Sequence, residues 1–259
     1  MQQSNSYIII FSVILTIVLG GLLSGVSQVL GPAQKKAVDL DTKKQILGAI
    51  PTEKERLADM EPEAILERYS QVINSTVTDY QGNIVETDAD GNPVVAENVE
   101  IEKNYKKPAE ERLFPIFKYT ADGNESYILP TFGAGLWDAI WGFVALAPDL
   151  ETIQGVSFDH RGETPGLGAR ITSDDVQARY QGKEIYNNQG ELISVTMVKG
   201  ENTPETALGP HKVDGMAGAT LTANGVNAML QNYLSYYQSY FDKNVRNQAM
   251  SMNVETSKQ

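Results

Sequence analysis

The chain contains no cysteine and only two histidines, His160 and His211, among its 259 residues. The first absence excludes disulfides, thiolate ligation of iron–sulfur clusters and a thiol nucleophile. The second, with no Gly-x-Ser-x-Gly anywhere, leaves a hydrolase triad little support, and the spacing of the two histidines suggests no metal site. Any redox chemistry must therefore come from a bound cofactor. Positive charge is scarce as well: 21 Lys and Arg stand against 33 Asp and Glu, for a net charge of −12. Such a chain has no basic surface with which to neutralise phosphates, so nucleic acid is not a partner. A hydrophobic fraction of 41% suits one sizeable domain with additions, and no internal repeat stands out.

Charge is missing altogether from one long run. Tyr7 to Leu30 is uncharged and mostly apolar, with Ile8, Ile9, Ile10, Phe11, Val13, Ile14, Leu15, Ile17, Val18, Leu19, Leu22 and Leu23. A bilayer needs about 20 such residues. A cleaved signal peptide is the competing reading. The chain lacks a basic start and a clear small-residue cleavage site, and the run exceeds the roughly 7 to 15 residues of a signal core. The segment therefore reads as an uncleaved membrane anchor. Gly20, Gly21, Ser24 and Gly25 give it a small-residue face suited to packing on other membrane helices, which points to a complex. Lys35, Lys36, Lys43 and Lys44 follow the anchor and no Lys or Arg precedes it, so charge bias alone would keep the following domain in the cytoplasm.

Beyond the anchor, residues 33–50 and 62–73 read as helical, interrupted by Pro51, with Glu61, Pro62 and Glu63 suiting a helix start. Strand-like runs follow at 76–80, 114–119, 127–129, 140–146, 152–158 and 192–198, with a short helix at 174–180 capped by Ser173. Strands interspersed with few helices argue for an α+β domain and against a regular doubly wound sheet. The expected organisation is an anchor at 1–33, a helical linker at 34–75 and a single soluble domain at 76–259 with its core at 130–245.

Two motifs fail on inspection. Asp88, Asp90 and Asn92 match the opening of a calcium loop, but Pro93 replaces its glycine and Val99 its final Glu, so a polar hairpin turn explains them better. Gly133 and Gly135 begin a dinucleotide fingerprint in which Asp138 occupies the third glycine's place. The chain is therefore not expected to bind NADH.

The most informative stretch is Asp214-Gly-Met-Ala-Gly-Ala-Thr220-Leu-Thr222. From Val226 onward, Met229, Leu230, Tyr233, Leu234, Tyr237 and Phe241 fall at the spacing of an amphipathic helix, with Thr222 or Asn224 as candidate caps. A helix start carries unpaired N–H groups and partial positive charge, so an anion on Thr220 would sit in a favourable field. Gly218 and Ala219 add little bulk. On these grounds alone a tight turn is the commoner explanation. Further back, Glu163 to Gly168 places Pro165 between Thr164 and glycines. This predicts a rigid turn with exposed backbone N–H groups and with Leu167 as an apolar surface, or else a plain surface loop.

The segment 214–222 resembles the flavinylation motif of the covalent FMN-binding domain family. In that family the Thr of a Gly-Ala-Thr run carries FMN through a phosphoester, and the matching position is Thr220. Ala217 departs from the pattern, standing where the family has Ser or Thr. Two further blocks, 135–146 around Trp137 and 160–168, resemble the C subunits of sodium-pumping NADH:quinone oxidoreductases in order and spacing, as does the stretch through Asn224, Gly225 and Val226. The resemblance implies an α+β FMN-binding domain on one N-terminal transmembrane helix, with no catalytic residue and no metal. It implies cofactor contacts from Thr220, Gly218, Ala219 and Asp214, and from Glu163, Thr164, Leu167 and Gly168 near the ring or ribityl chain. Trp137 stacks on the ring, walls it off, or is a buried structural residue; Lys199 pairs with the phosphate or reduced flavin, or is simply solvated. Implied partners are the other subunits of a membrane oxidoreductase complex and a flavin transferase, with the domain on the periplasmic side of the bacterial inner membrane, opposite to the charge bias. The G subunit of the related Rnf complex and a stand-alone flavin-binding envelope protein share the motif and remain alternatives.

Overall fold

The computed structural model describes residues 5–246. Its contacts divide the chain into two units, Met1–Thr42 and Lys43–Gln259. In the first, helix α1 (Asn5–Gly48) exposes Ile8 to Leu30 along its apolar part and is long and apolar enough to cross a membrane. The anchor and the first helical stretch of the linker form one continuous helix; Pro32 lies inside it, where its missing N–H removes a single backbone bond.

The second unit begins at the end of α1, where Ile46 and Leu47 are buried. Helices α2 (Pro51–Leu57) and α3 (Pro62–Val72) each start at a proline, which needs no N–H at that position. Their apolar faces, with Leu57, Ile65, Tyr69 and Val72, are buried. Five antiparallel strands follow in simple order: β1 (Ile73–Thr78), β2 (Phe114–Ala121), β3 (Asn124–Ala134), β4 (Ala139–Leu146) and β5 (Ile153–His160). Short helices α4 (Ile101–Tyr105), α5 (Asp174–Ala178) and α6 (Glu205–Leu208) decorate the connections, and β6 (Thr196–Met197) pairs in parallel with β7 (Lys212–Val213). The long helix α7 (Thr220–Tyr240) packs on the sheet, burying Val226, Met229, Leu230, Tyr233, Leu234 and Tyr237. The domain is α+β, as the sequence predicts.

Glycines set how closely α7 approaches β3. A Cβ on Gly225 would run into the carbonyl oxygen of Ala134, and one on Gly133 would come to 2.9 Å from the Cβ of Met229. The start of α7 therefore lies against the end of β3, beside the β3–β4 hairpin tip.

Several boundaries differ from expectation for local reasons. Strand β3 is far longer than 127–129 because Pro130 falls past Ile128, the last β3 residue opposite β2 in the register, where only β4 flanks the strand. The run at 192–198 shrinks to two residues because Ser194 takes φ +59, which interrupts extended backbone. Strand β1 ends at Thr78 because the Asp79 carboxylate gathers the amides of Gln81 and Asn83 into a turn. Ser173 does precede α5, but its hydroxyl donates to the Arg170 carbonyl instead of capping. Asp88 likewise accepts the amides of Asp90 and Asn92 within a polar turn, and no cluster among the described residues is arranged to hold a metal.

One buried charge ties α2 and α3 to the sheet. Glu53 has no exposed surface and accepts from Arg56 (2.7 Å), Arg68 (2.5 and 3.0 Å) and the Tyr119 hydroxyl (2.9 Å). Burial opposes its charge, but the Arg68 and Tyr119 hydrogen bonds and the two arginine charges outweigh it and hold the carboxyl below its ordinary 4.5. A carboxylate with a depressed folded pKa adds stability above its unfolded pKa and loses it as pH falls through the folded value. Glu53→Gln is expected to cost about 3 kcal/mol, because it removes the buried partner of Arg68 and Arg56 and leaves them only Asp122, at 3.9 and 2.9 Å, as counter-charge. Thermal unfolding from pH 7 down to 3 checks this: the native chain should lose its advantage over the variant as the pH falls, and equal melting at pH 7 would be the contrary result.

Candidate functional site

Three loops meet at the start of α7: the hairpin tip at 135–138, the segment at 161–168 after β5, and the turn at 214–219. Their junction is Glu163, which is 4% exposed. One carboxylate oxygen accepts the amide of Trp137 at 3.0 Å, and the other accepts the hydroxyl of Thr222 on α7. Its own amide donates to Nδ1 of His160 at 3.2 Å. Gly135 and Gly168 leave room for this carboxylate; a Cβ at either position would strike it, and at Gly168 would strike the Thr222 hydroxyl too.

The segment Thr164-Pro165-Gly166-Leu167 is a type II-like turn, closed by the Leu167 amide on the Thr164 carbonyl (3.1 Å), with Gly166 at φ +75. The Ala169 amide bonds the same carbonyl. The expected array of exposed N–H groups is thus narrowed: within 163–168 the Leu167 amide closes the turn and the Glu163 amide bonds His160. Leu167, by contrast, is 40% exposed, and a Cβ on Gly218 would come to 2.9 Å from its Cδ2, so its side chain reaches the 214–219 turn. Trp137 is 69% exposed, with its indole N–H on the Thr164 hydroxyl at 3.1 Å, which overturns the reading of a buried structural tryptophan. With Leu136 and Leu221, also exposed, the loops present an apolar rim.

Neither Thr222 nor Asn224 caps α7. The helix starts two residues earlier than Thr222, with Thr220 as its first residue and Ala219 at the cap position. Alanine has no side-chain acceptor, so no side chain caps the helix start. Ala223 is the first residue whose amide reaches a carbonyl four back, at Ala219 (2.9 Å); those of Thr220, Leu221 and Thr222 precede the ladder. Gly218, at φ +75, turns the chain into this start, and the Thr220 side chain is partly exposed. A hydroxyl on a partly exposed residue opening an uncapped 21-residue helix, beside an apolar rim, suits a ligand that combines an anion with a flat apolar face.

Asp214 is committed elsewhere. Its carboxylate accepts the amides of Asn202 (2.8 Å) and Thr203 (3.0 Å), which with its other backbone hydrogen bonds keep its pKa below the ordinary value despite partial burial. It braces the turn. Lys199 is exposed and makes no hydrogen bond or ion pair with the described residues. The sequence singles out neither Glu201, which accepts the Ala217 amide at 3.2 Å, nor the arginines that grip it, Arg170 (2.6 and 2.9 Å) and Arg179 (3.2 Å). They lie scattered over 170–201 with no recognisable spacing. A cavity of about 360 Å³, lined by Ala49, Pro51, Lys54, Val156 and Gln177 among others, shares no residue with this site, which is an open surface seat.

The family of FMN-binding domains matches residues 135–235, a span that contains all three loops. The chain is 31% identical over 245 residues to the C subunit of the Na(+)-translocating NADH-quinone reductase of Pseudomonas aeruginosa, covering 90% of this chain and 92% of that protein. It is 33% identical over 286 residues to the C subunit from Chlamydia muridarum, covering 90% of each. Among solved structures, the C subunit from Parabacteroides distasonis superposes with a TM-score of 0.65 at 33% identity, covering 82% of this chain and 96% of that one. An NqrC from Shewanella oneidensis, at 24% identity and a TM-score of 0.64, shares the fold.

Proposed function

The chain belongs to the family of C subunits of Na(+)-translocating NADH-quinone reductases, and on that premise we propose that it is an electron carrier of such a complex, holding FMN by a phosphoester to Thr220. The observation that carries the attachment point is the position of Thr220 as first residue of α7, partly exposed and without a side-chain cap before it. A helix start of this kind favours a phosphate through its free amides and a partial charge of about +0.5. Ester formation in water needs an activated donor such as a flavin phosphoanhydride. The Thr220 oxygen bonds to the flavin-side phosphorus, the anhydride bond breaks with its other phosphate as leaving group, and the hydroxyl proton passes to a base; no electron moves. Once bound, FMN supplies the redox chemistry, while the protein sets its position and surroundings.

The chain's own residues have distinct parts. Trp137, Leu167 and Leu221 offer the ring an apolar rim, and Glu163 and Gly168 keep the rim in place from beneath. Thr222, although a hydroxyl two residues from Thr220, is buried and spent on Glu163, so it is unavailable for modification. The apolar run of α1 anchors the chain, and with no ionisable group between Tyr7 and Leu30 this single helix holds no charged site for an ion, so sodium crosses through other subunits. The domain stands on the periplasmic side, against the basic flank of the anchor, where a flavin transferase meets it. The relatives behind this reading are all C subunits of the sodium-translocating reductase, which favours it over an Rnf G subunit.

Two outcomes follow. Co-produced with a flavin transferase, Thr220→Ala should abolish the ultraviolet fluorescence of the denatured protein band, while Thr222→Ala should retain it; the reverse pattern would move the attachment site. Alkaline phosphatase fused after Gln259 should be active in a bacterial host, and an inactive fusion made at normal level would place the domain in the cytoplasm.

A further inference from the structure

The segment carrying Glu201 is strapped to three parts of the site. Asn227 of α7 holds Met197 by both its amide and its carbonyl, at 2.7 and 3.0 Å. The carbonyls of Val198 and Gly200 lie against Gly215 so closely that a Cβ there would overlap both. Asp214 takes the amides of Asn202 and Thr203. At the centre, Glu201 receives the Ala217 amide on one oxygen, and its two oxygens accept from both terminal nitrogens of Arg170, two residues past the 161–168 segment. Arg179 bonds the same carboxylate and also donates to the carbonyls of Gly215 and Asp214, at 2.5 and 3.2 Å. Asp175 completes the network by pairing with both arginines.

We infer that Glu201, gripped by Arg170 and Arg179, is a positioning residue for modification of Thr220: it fixes the 214–219 turn through the Ala217 amide and thereby sets how the hydroxyl is presented. This rests on the covalent reading above. The arrangement also gives Ala217 a role. Lacking the hydroxyl common at this position of the motif, it is held by its backbone alone, and Glu201 supplies the acceptor. The carboxylate is well suited to constant service, since the Arg170 hydrogen bonds, helped by the Ala217 amide and Arg179, lower its pKa to about 2. It is therefore ionised at neutral pH.

The test uses the full chain in detergent with a flavin transferase and FAD, following incorporation by intact mass. Glu201→Gln should lower the maximal rate of incorporation at least tenfold with little change in the KM for the protein substrate. In the same variant the Ala217 amide should exchange with solvent at least tenfold faster, while amides within the β3–β4 ladder keep their protection. Glu201→Asp retains the charge between the arginines but withdraws it by one methylene; it should fold even if the Gln variant does not, and should show the same loss of rate. Incorporation at the native rate in either folded variant overturns the clamp and leaves the covalent reading standing. A native chain that takes up no flavin under these conditions overturns both.

Discussion

The carboxylate of Glu163 is the contact on which the site depends. It is nearly inaccessible, and its two oxygens are divided between the backbone of the β3–β4 hairpin and a hydroxyl on α7. A buried carboxylate needs full hydrogen bonding to repay its desolvation, so this arrangement tolerates little displacement of either partner. Gly135 and Gly168 exist at its edges because any side chain there would occupy its space. The consequence is that hairpin, turn and helix start are tied into one geometry by the protein's own hydrogen bonds. That is the kind of preorganisation a site for a tethered cofactor requires.

Around that junction the chain separates support from exposure. The sheet and α7 supply a rigid base through close glycine contacts, and the Glu201 network holds the 214–219 turn from the other side. What remains on the surface is chemically simple: Trp137, Leu167, Leu221 and the Thr220 hydroxyl. On the proposed phosphoester to Thr220, the tether would supply the retention that a shallow apolar rim alone, burying little of a ligand, does not.

Much of this is legible in the sequence, and the omissions have physical causes. The α7 periodicity, the anchor and the strands at 114–121, 139–146 and 153–160 are carried by apolar patterning, which is local. The length of β3 is hidden by Pro130, which is tolerated only because β2 leaves that stretch of strand without a partner on one side. The helix start is easily misplaced because Thr222 looks like a cap, whereas its hydroxyl is drawn away to Glu163, 59 residues earlier in the chain. Family likeness points to Thr220 and to the Glu163–Gly168 block. Glu201, Arg170 and Arg179 leave no trace in spacing, since ion pairs between separate loops have no period.

The proposed attachment makes Thr220 alone the bearer of the flavin. Trypsin should release the peptide from Val213 to Lys243 from protein matured with a flavin transferase, and fragment-ion mass spectrometry can then assign the modification to one residue. The expected result is a mass gain of one FMN less water, carried by fragments that contain Thr220 and absent from fragments that begin at Leu221. An unmodified peptide, or the same gain on fragments beginning at Leu221, would contradict it.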